Sequence, residues 1–201
     1  MKKNIIITGA GRGIGRATAL LAASQGNQVY AISRTIDDLK GIENIQPFSV
    51  DLTNPDAIAS FCKELATTGV LIDVLINNAG VLVNKPFLEL TREDFETCYS
   101  VNVMSVMETV QAAVPKMTSA HIVNISSIGG FQGSVKFPGL TAYSTSKAAV
   151  CSFTELFAEE YKDSAIKMNC LCLGAAQTEM LEEAFPGYEA PVSAKKMAEY
   201  I

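Results

Sequence analysis

The chain has 201 residues, a net charge of −5 and a composition that is 48% hydrophobic. That length is ample for one domain with a full core and short for two, and the composition gives no argument for disorder. An acidic balance leaves no basic footprint for nucleic acid and no polybasic patch for a membrane, and no apolar run is long enough to span a bilayer.

The start, Met1-Lys2-Lys3, is positive, but the apolar stretch behind it ends at Thr8, too soon for a signal peptide. Asn4–Ile7 is a short β-branched run and reads as a buried strand. It leads straight into Thr8-Gly9-Ala10-Gly11-Arg12-Gly13-Ile14-Gly15, and then into a helix-forming segment over Ile14–Ser24. Strand, glycine-rich turn and helix together aim backbone N–H groups and a positive helix dipole at a phosphate. Gly9 permits a tight exit from the strand, Gly13 the close approach of a cofactor, and Gly15 close packing of helix on sheet.

Further strands are expected at Gln28–Ser33, Ile45–Val50, Val74–Ile76, His121–Ile125 and Lys167–Cys172, with helices over Asp56–Thr67, Arg92–Met117 and Ala142–Lys162. Near-continuous apolar strands alternating with helices imply a parallel sheet covered on both faces. No linker, repeat or change of composition divides the chain. The expectation is an α/β fold, one Rossmann-like doubly wound domain over residues 1–201, with strand order 3-2-1-4-5-6.

The five cysteines, at positions 62, 98, 151, 170 and 172, form no Cys-x-x-Cys pair. An odd count among apolar neighbours suggests reduced, mostly buried thiols in a cytoplasmic protein. Cys170 and Cys172 fall on one side of a strand, which does not suit a disulfide between them. With one histidine, His121, read as structural, and no clustered ligand spacing, no metal site is expected.

Tyr143 and Lys147 carry the chemistry. Four residues apart on a helix, they lie one turn apart on one face. A phenol titrates near pH ~10, and lowering it to about 7 takes roughly 4 kcal/mol. One positive charge about 4 Å away, at an effective dielectric near 20, supplies about that much. Such a pair is a plausible general acid/base.

The combination of Thr8 to Gly15, Asp51, Asn77-Asn78-Ala79-Gly80, Asn102, Ser126-Ser127 and Tyr143 with Lys147 resembles the short-chain dehydrogenase/reductase family, in the family's order, from Thr8 to about Met180. The resemblance implies reversible hydride transfer between a nicotinamide and the carbonyl or alcohol carbon of a small substrate. It makes Tyr143 the acid/base, Ser127 the partner of the substrate oxygen, and Lys147 the group that lowers the Tyr143 pKa and holds the nicotinamide ribose. Asn102 is implied to sit at a helix distortion and carry a water relay. Asp51 would meet the adenine amino group with Leu52 packed near the base, and Asn78, Ala79 and Gly80 would make room for the cofactor. Thr178, beyond Gly174, would contact the nicotinamide carboxamide. A homo-oligomer, dimer or tetramer, is also implied.

Cofactor choice turns on the end of the second strand, where Ser33-Arg34-Thr35 has no acid to accept from a ribose. Arg34, with Arg12 in the glycine turn, suits the 2′-phosphate of NADP, so NADP is expected ahead of NAD. Two features depart from the family's pattern. Leu173-Gly174 stands where the family has Pro-Gly, which loosens the loop under the nicotinamide. The chain ends at Ile201 in an expected helix, where the family adds a strand; an open sixth strand would weaken the expectation of a tetramer. Sugar-nucleotide epimerases and dehydratases share the Tyr-x-x-x-Lys pair but carry a larger substrate domain. The alternative in another class is a non-catalytic NADP-binding sensor or scaffold, for which Tyr143 and Lys147 together would have no chemical use.

Overall fold

The computed structural model describes residues 2–201. Six parallel strands form one sheet: β1 (Asn4–Thr8), β2 (Gln28–Ser33), β3 (Ile45–Ser49), β4 (Val74–Asn77), β5 (Ala120–Ser127) and β6 (Ile166–Leu173). Their order is β3-β2-β1-β4-β5-β6, as expected from the alternating pattern. The helices are α1 (Gly13–Ser24), α2 (Pro55–Thr67), α3 (Arg92–Tyr99), α4 (Ser105–Ala113), α5 (Thr141–Glu160), α6 (Glu179–Ala184) and α7 (Ala194–Ala198).

Strand side chains alternate between two cores, which is why the strands read as continuously apolar. Ile6, Tyr30, Ile32, Leu75 and Ile122 face α2, α4 and the end of α5, meeting Phe61, Leu65, Val110 and Phe157. Ile5, Ile7, Val29, Ala31, Ile76 and Val123 face the other way, against Ala19, Ala22 and Ala23 of α1. Alanines on that face let α1 lie close to the sheet. Ile6 and Ile7 are wholly buried, each stabilising by roughly 2 kcal/mol over exposure.

Local signals set the helix starts. The Asn54 side chain accepts from Asp56 N and Ala57 N, and Pro55 occupies the first turn of α2. Thr91 and Asp94 form a reciprocal capping box on α3. The single long helix expected over Arg92–Met117 is interrupted. A π-helical turn, Ser100–Met104, separates α3 from α4, and the segment closes with a 3₁₀ turn over Val114–Lys116. Asn102 lies within this π turn and is buried.

The sheet reverses direction of winding between β1 and β4, and a crevice opens there above the strand C-termini. Polar residues end the strands along that edge: Thr8, Ser33, Asn77 and Ser127. No helix among the described residues is long and apolar enough to cross a membrane.

Candidate active site

Thr8, at the end of β1, is 2% exposed and joins the two halves of the crevice. Its Oγ1 accepts the amide N–H groups of Asn78 and Ala79, both at 3.0 Å. Asn78 returns the contact, its Nδ2 donating to the carbonyls of Thr8 at 3.0 Å and Gly9 at 3.3 Å. Gly9 has φ +67, and a Cβ there would lie 2.8 Å from Ala79 Cα, so both conformation and space require glycine. A Cβ on Gly15 would strike Asn78 Nδ2 and the Gly9 carbonyl. Gly15 thus packs α1 onto its own entry turn and the β4 loop, not onto the sheet as its spacing suggested.

Gly13, at φ +57, opens α1, and Arg12 precedes it without any side-chain cap. No acidic residue occupies the first turn, which contains Ile14 and Gly15. These N-terminal N–H groups are therefore left to a ligand or water, and with the glycines beside them they fit a cofactor pyrophosphate.

At the end of β2, Ser33 lies against Gly11, where a Cβ would meet Ser33 Oγ and, at 2.8 Å, the Thr35 carbonyl. Arg34 is exposed and makes no salt bridge among the described residues. Arg12 does not join it. Its guanidinium turns to α6 and pairs with Glu183 in a fork at 2.6 and 3.3 Å. Both partners are more than half exposed, so this pair contributes at most about 1 kcal/mol. Asp51 Oδ1 accepts from the backbone and hydroxyl of Thr53 at 2.9 and 2.8 Å, which holds its carboxyl below the usual range. Leu52, expected beside the base, is 9% exposed and packed into the core.

The catalytic candidates converge on α5. Lys147 is 4% exposed, and its Nζ donates to the Ile125 carbonyl at 2.9 Å. Its other N–H bonds have no protein acceptor among the described residues. Gly80 makes the space: a Cβ there would sit 3.3 Å from Asn102 Oδ1 and 3.4 Å from Lys147 Nζ. The ammonium lies 5.9 Å from the centre of the Tyr143 ring. Asn102 is fully buried; Oδ1 accepts Val81 N at 2.8 Å, and Nδ2 donates to Val81 O and Ser146 Oγ, both at 2.9 Å. Ser146 in turn donates to the Tyr143 carbonyl at 2.7 Å. Ser127 stands at the end of β5, partly exposed, with Oγ accepting Gly129 N at 3.2 Å. Its neighbour Ser126 is buried and donates to the Lys147 carbonyl at 2.8 Å, so the two serines divide into one that pins α5 and one that faces the crevice.

Over residues 3–189 the sequence matches the family model described as short chain dehydrogenase. The chain belongs to the short-chain dehydrogenase/reductase family. It is similar to dehydrogenase/reductase SDR family member 6 of Xenopus laevis, at 35% identity over 201 residues, covering 96% of this chain and 79% of that one. It is 36% identical over 173 residues to carbonyl reductase (NADPH) 2 of Sus scrofa, covering 82% and 68%. A solved structure of ElxO with NADP bound superposes with a TM-score of 0.88 at 28% identity, covering 100% of this chain and 90% of that one. The protein is accordingly an NAD(P)-dependent short-chain dehydrogenase/reductase that acts on small molecules.

For a short-chain dehydrogenase/reductase, the titration of the free site holds a surprise. Burial pushes the Tyr143 phenol up from 10.0, and the Ser127 hydroxyl beside it works the other way without winning. The net direction in the free site is upward, with the Lys147 ammonium 5.9 Å from the centre of the ring. Desolvation also weakens the lysine itself, lowering its pKa from 10.5 to about 8.

Thr178 caps α6 by accepting Leu181 N at 3.3 Å, and its Cγ2 would lie 3.4 Å from a Cβ on Gly13. Gly174 follows β6 with open space around it. A cleft of about 1040 Å³ runs from Gly13 and Thr178 along the outside of α1 and reaches none of Asn102, Ser127, Tyr143 or Lys147. Phe87, Phe131 and Phe137 are each at least 46% exposed.

Three participants escaped the sequence analysis. Ser146 was hidden in the Tyr143–Lys147 interval, although a serine on the helix face shared with Asn102 is a signal once the π turn is known. Glu183 lies 171 positions from Arg12. The third is the grouping of Cys151, Cys170 and Cys172, whose sulfurs lie within 4.8 Å of one another. Their separation in sequence gave no hint of a cluster.

Proposed function

We propose that this enzyme is an NADP-preferring carbonyl reductase or alcohol dehydrogenase, with Asn102, Ser127, Tyr143 and Lys147 as its working group. The observation that carries the reading is the buried Lys147 ammonium, held by one carbonyl and facing the gap at Gly80 beside the Tyr143 ring. A buried charge with spare donors is costly unless a ligand accepts from it. Ribose hydroxyls meet that need.

A nicotinamide held in the crevice would supply hydride exchange with a carbonyl or alcohol carbon. Tyr143 delivers its phenolic proton to the substrate oxygen in reduction and recovers it in oxidation. A high phenol pKa in the free site keeps that proton in place until the ligands arrive. Ser127 Oγ donates to the same oxygen and stabilises the charge that develops there. Lys147 would hold the ribose hydroxyls and offset phenolate charge. The Asn102 side chain binds the β4 loop to α5 through Val81 and Ser146. With both amide donors committed, a water relay there would use its main chain or the remaining Oδ1 lone pair.

Thr8, Gly9, Gly13, Ile14 and Gly15 would hold the pyrophosphate, and Asn78, Ala79 and Gly80 the nicotinamide ribose side. Asp51 has a second carboxylate oxygen for the adenine amino group, and Gly174 and Thr178 close the nicotinamide end. NADP preference rests on Arg34, exposed and free of an ion pair beside a strand end without an acid, and is supported by the NADP named with ElxO and the NADPH named with the Sus scrofa relative. Arg12 can join only by leaving Glu183, a small cost for an exposed pair. A panel of ketones and aldehydes with NADPH or NADH, followed by loss of reduced-cofactor absorbance, tests the proposal. Turnover with NADPH exceeding that with NADH is expected, and turnover with neither across the panel would overturn it.

A further inference from the structure

Behind the catalytic lysine, three reduced cysteines meet. Cys151 lies on α5, one turn beyond Lys147, while Cys170 and Cys172 project from the same face of β6, the strand at the sheet edge. The Cys151 sulfur is 3.5 Å from that of Cys172 and 3.8 Å from that of Cys170, and all three thiols are free and partly exposed. Ser126 Oγ lies 3.4 Å from Cys151 Sγ.

These separations match a metal's coordination shell. A tetrahedral zinc ion with Zn–S bonds of about 2.3 Å holds its sulfurs about 3.8 Å apart. Soft thiolates with no carboxylate or imidazole among them select zinc-like cations over calcium or magnesium. We propose that Cys151, Cys170 and Cys172 form a thiophilic cation site for Zn(II), distinct from the crevice that holds the nicotinamide. Three sulfurs leave the fourth position to water or to the Ser126 hydroxyl. Binding exchanges one divalent cation for three thiol protons, which pass to buffer, and leaves a net charge of −1. The Lys147 ammonium, within range of Cys170 and Cys151, offsets that charge. Without a cation, the same thiols pack together and share weak S–H contacts, and burial pushes Cys170 up to about 12.

The test uses the full chain, reduced, stripped with a strong chelator and kept free of oxygen. Titration with Cd(II), a spectroscopic substitute for Zn(II), should produce a thiolate-to-metal charge-transfer band that saturates at one equivalent per chain. Zn(II) affinity, measured by competition with a chromophoric chelator, should fall at least tenfold, about 1.4 kcal/mol, in each of Cys151→Ser, Cys170→Ser and Cys172→Ser. Thiol mapping on the unsubstituted chain needs no variant to fold. Zn(II) should protect Cys151, Cys170 and Cys172 from alkylation and leave Cys62 and Cys98 as they were. Failure of Cd(II) to generate the band, protection of other cysteines, or equal affinity in the three folded variants would overturn the site.

Discussion

Replacing Lys147 by methionine tests how strongly the fold resists the charge it buries. The side chain is 4% exposed, and burial lowers its pKa from 10.5 to about 8. Below about pH 8 the lysine is protonated whether the chain is folded or not, and the native state bears the whole desolvation cost. Between about 8 and 10.5 the native lysine has lost its proton while the unfolded one keeps it. The unfolded chain then binds more protons, so raising the pH stabilises the fold. From the two pKa values, the gain between pH 7 and pH 10 is about 2–3 kcal/mol. In a chain of this size that corresponds to about 5–10 °C in Tm.

Lys147→Met keeps the stem and removes the titration. It also deprives the Ile125 carbonyl of its donor, but that loss is the same at every pH. Urea unfolding of both proteins without cofactor, at about pH 7, 8, 9 and 10, gives stabilities whose difference isolates the lysine. Wild type should gain on the variant by about 2–3 kcal/mol across the series, most of it above pH 8. A difference independent of pH would refute the burial argument, since it would mean that the native lysine titrates as it does in the unfolded chain.

Thr8→Val preserves shape but leaves the Asn78 and Ala79 amides without their acceptor; a loss of about 2 kcal/mol is expected in urea unfolding, with Thr8→Ser close to wild type. Tyr143→Phe should abolish turnover while NADPH binding, followed by cofactor fluorescence, survives; retained activity would remove Tyr143 as the acid. Arg34→Asp should move the ratio of kcat/KM values toward NADH by at least about tenfold, about 1.4 kcal/mol. An unchanged ratio would remove Arg34 from cofactor choice.

Much of this architecture was legible because its causes are local. The β-branched run Asn4–Ile7, the glycines from Gly9 to Gly15 and the alternating apolar segments specified the strands, the first turn and the strand order. The Tyr143–Lys147 interval likewise specified one face of α5 from periodicity alone. Boundaries moved by a residue or two, and the strong helical pattern of Arg92–Met117 concealed the π turn, because helical periodicity does not register one inserted residue when its neighbours still bury.

What only the tertiary structure decided was where side chains from distant elements meet. Arg12 was read with Arg34 because both lie near strand ends, yet α6 brings Glu183 to it. Burial pushes the Tyr143 phenol up in the free site, and desolvation is a quantity that sequence spacing does not supply. The cysteine group exists because β6 presents Cys170 and Cys172 to the face of α5 that carries Cys151. Periodicity and turn preference act over a few residues and can be read along the chain. Charge, desolvation and coordination act through space, and only the packing of α5 and α6 against the sheet sets those distances.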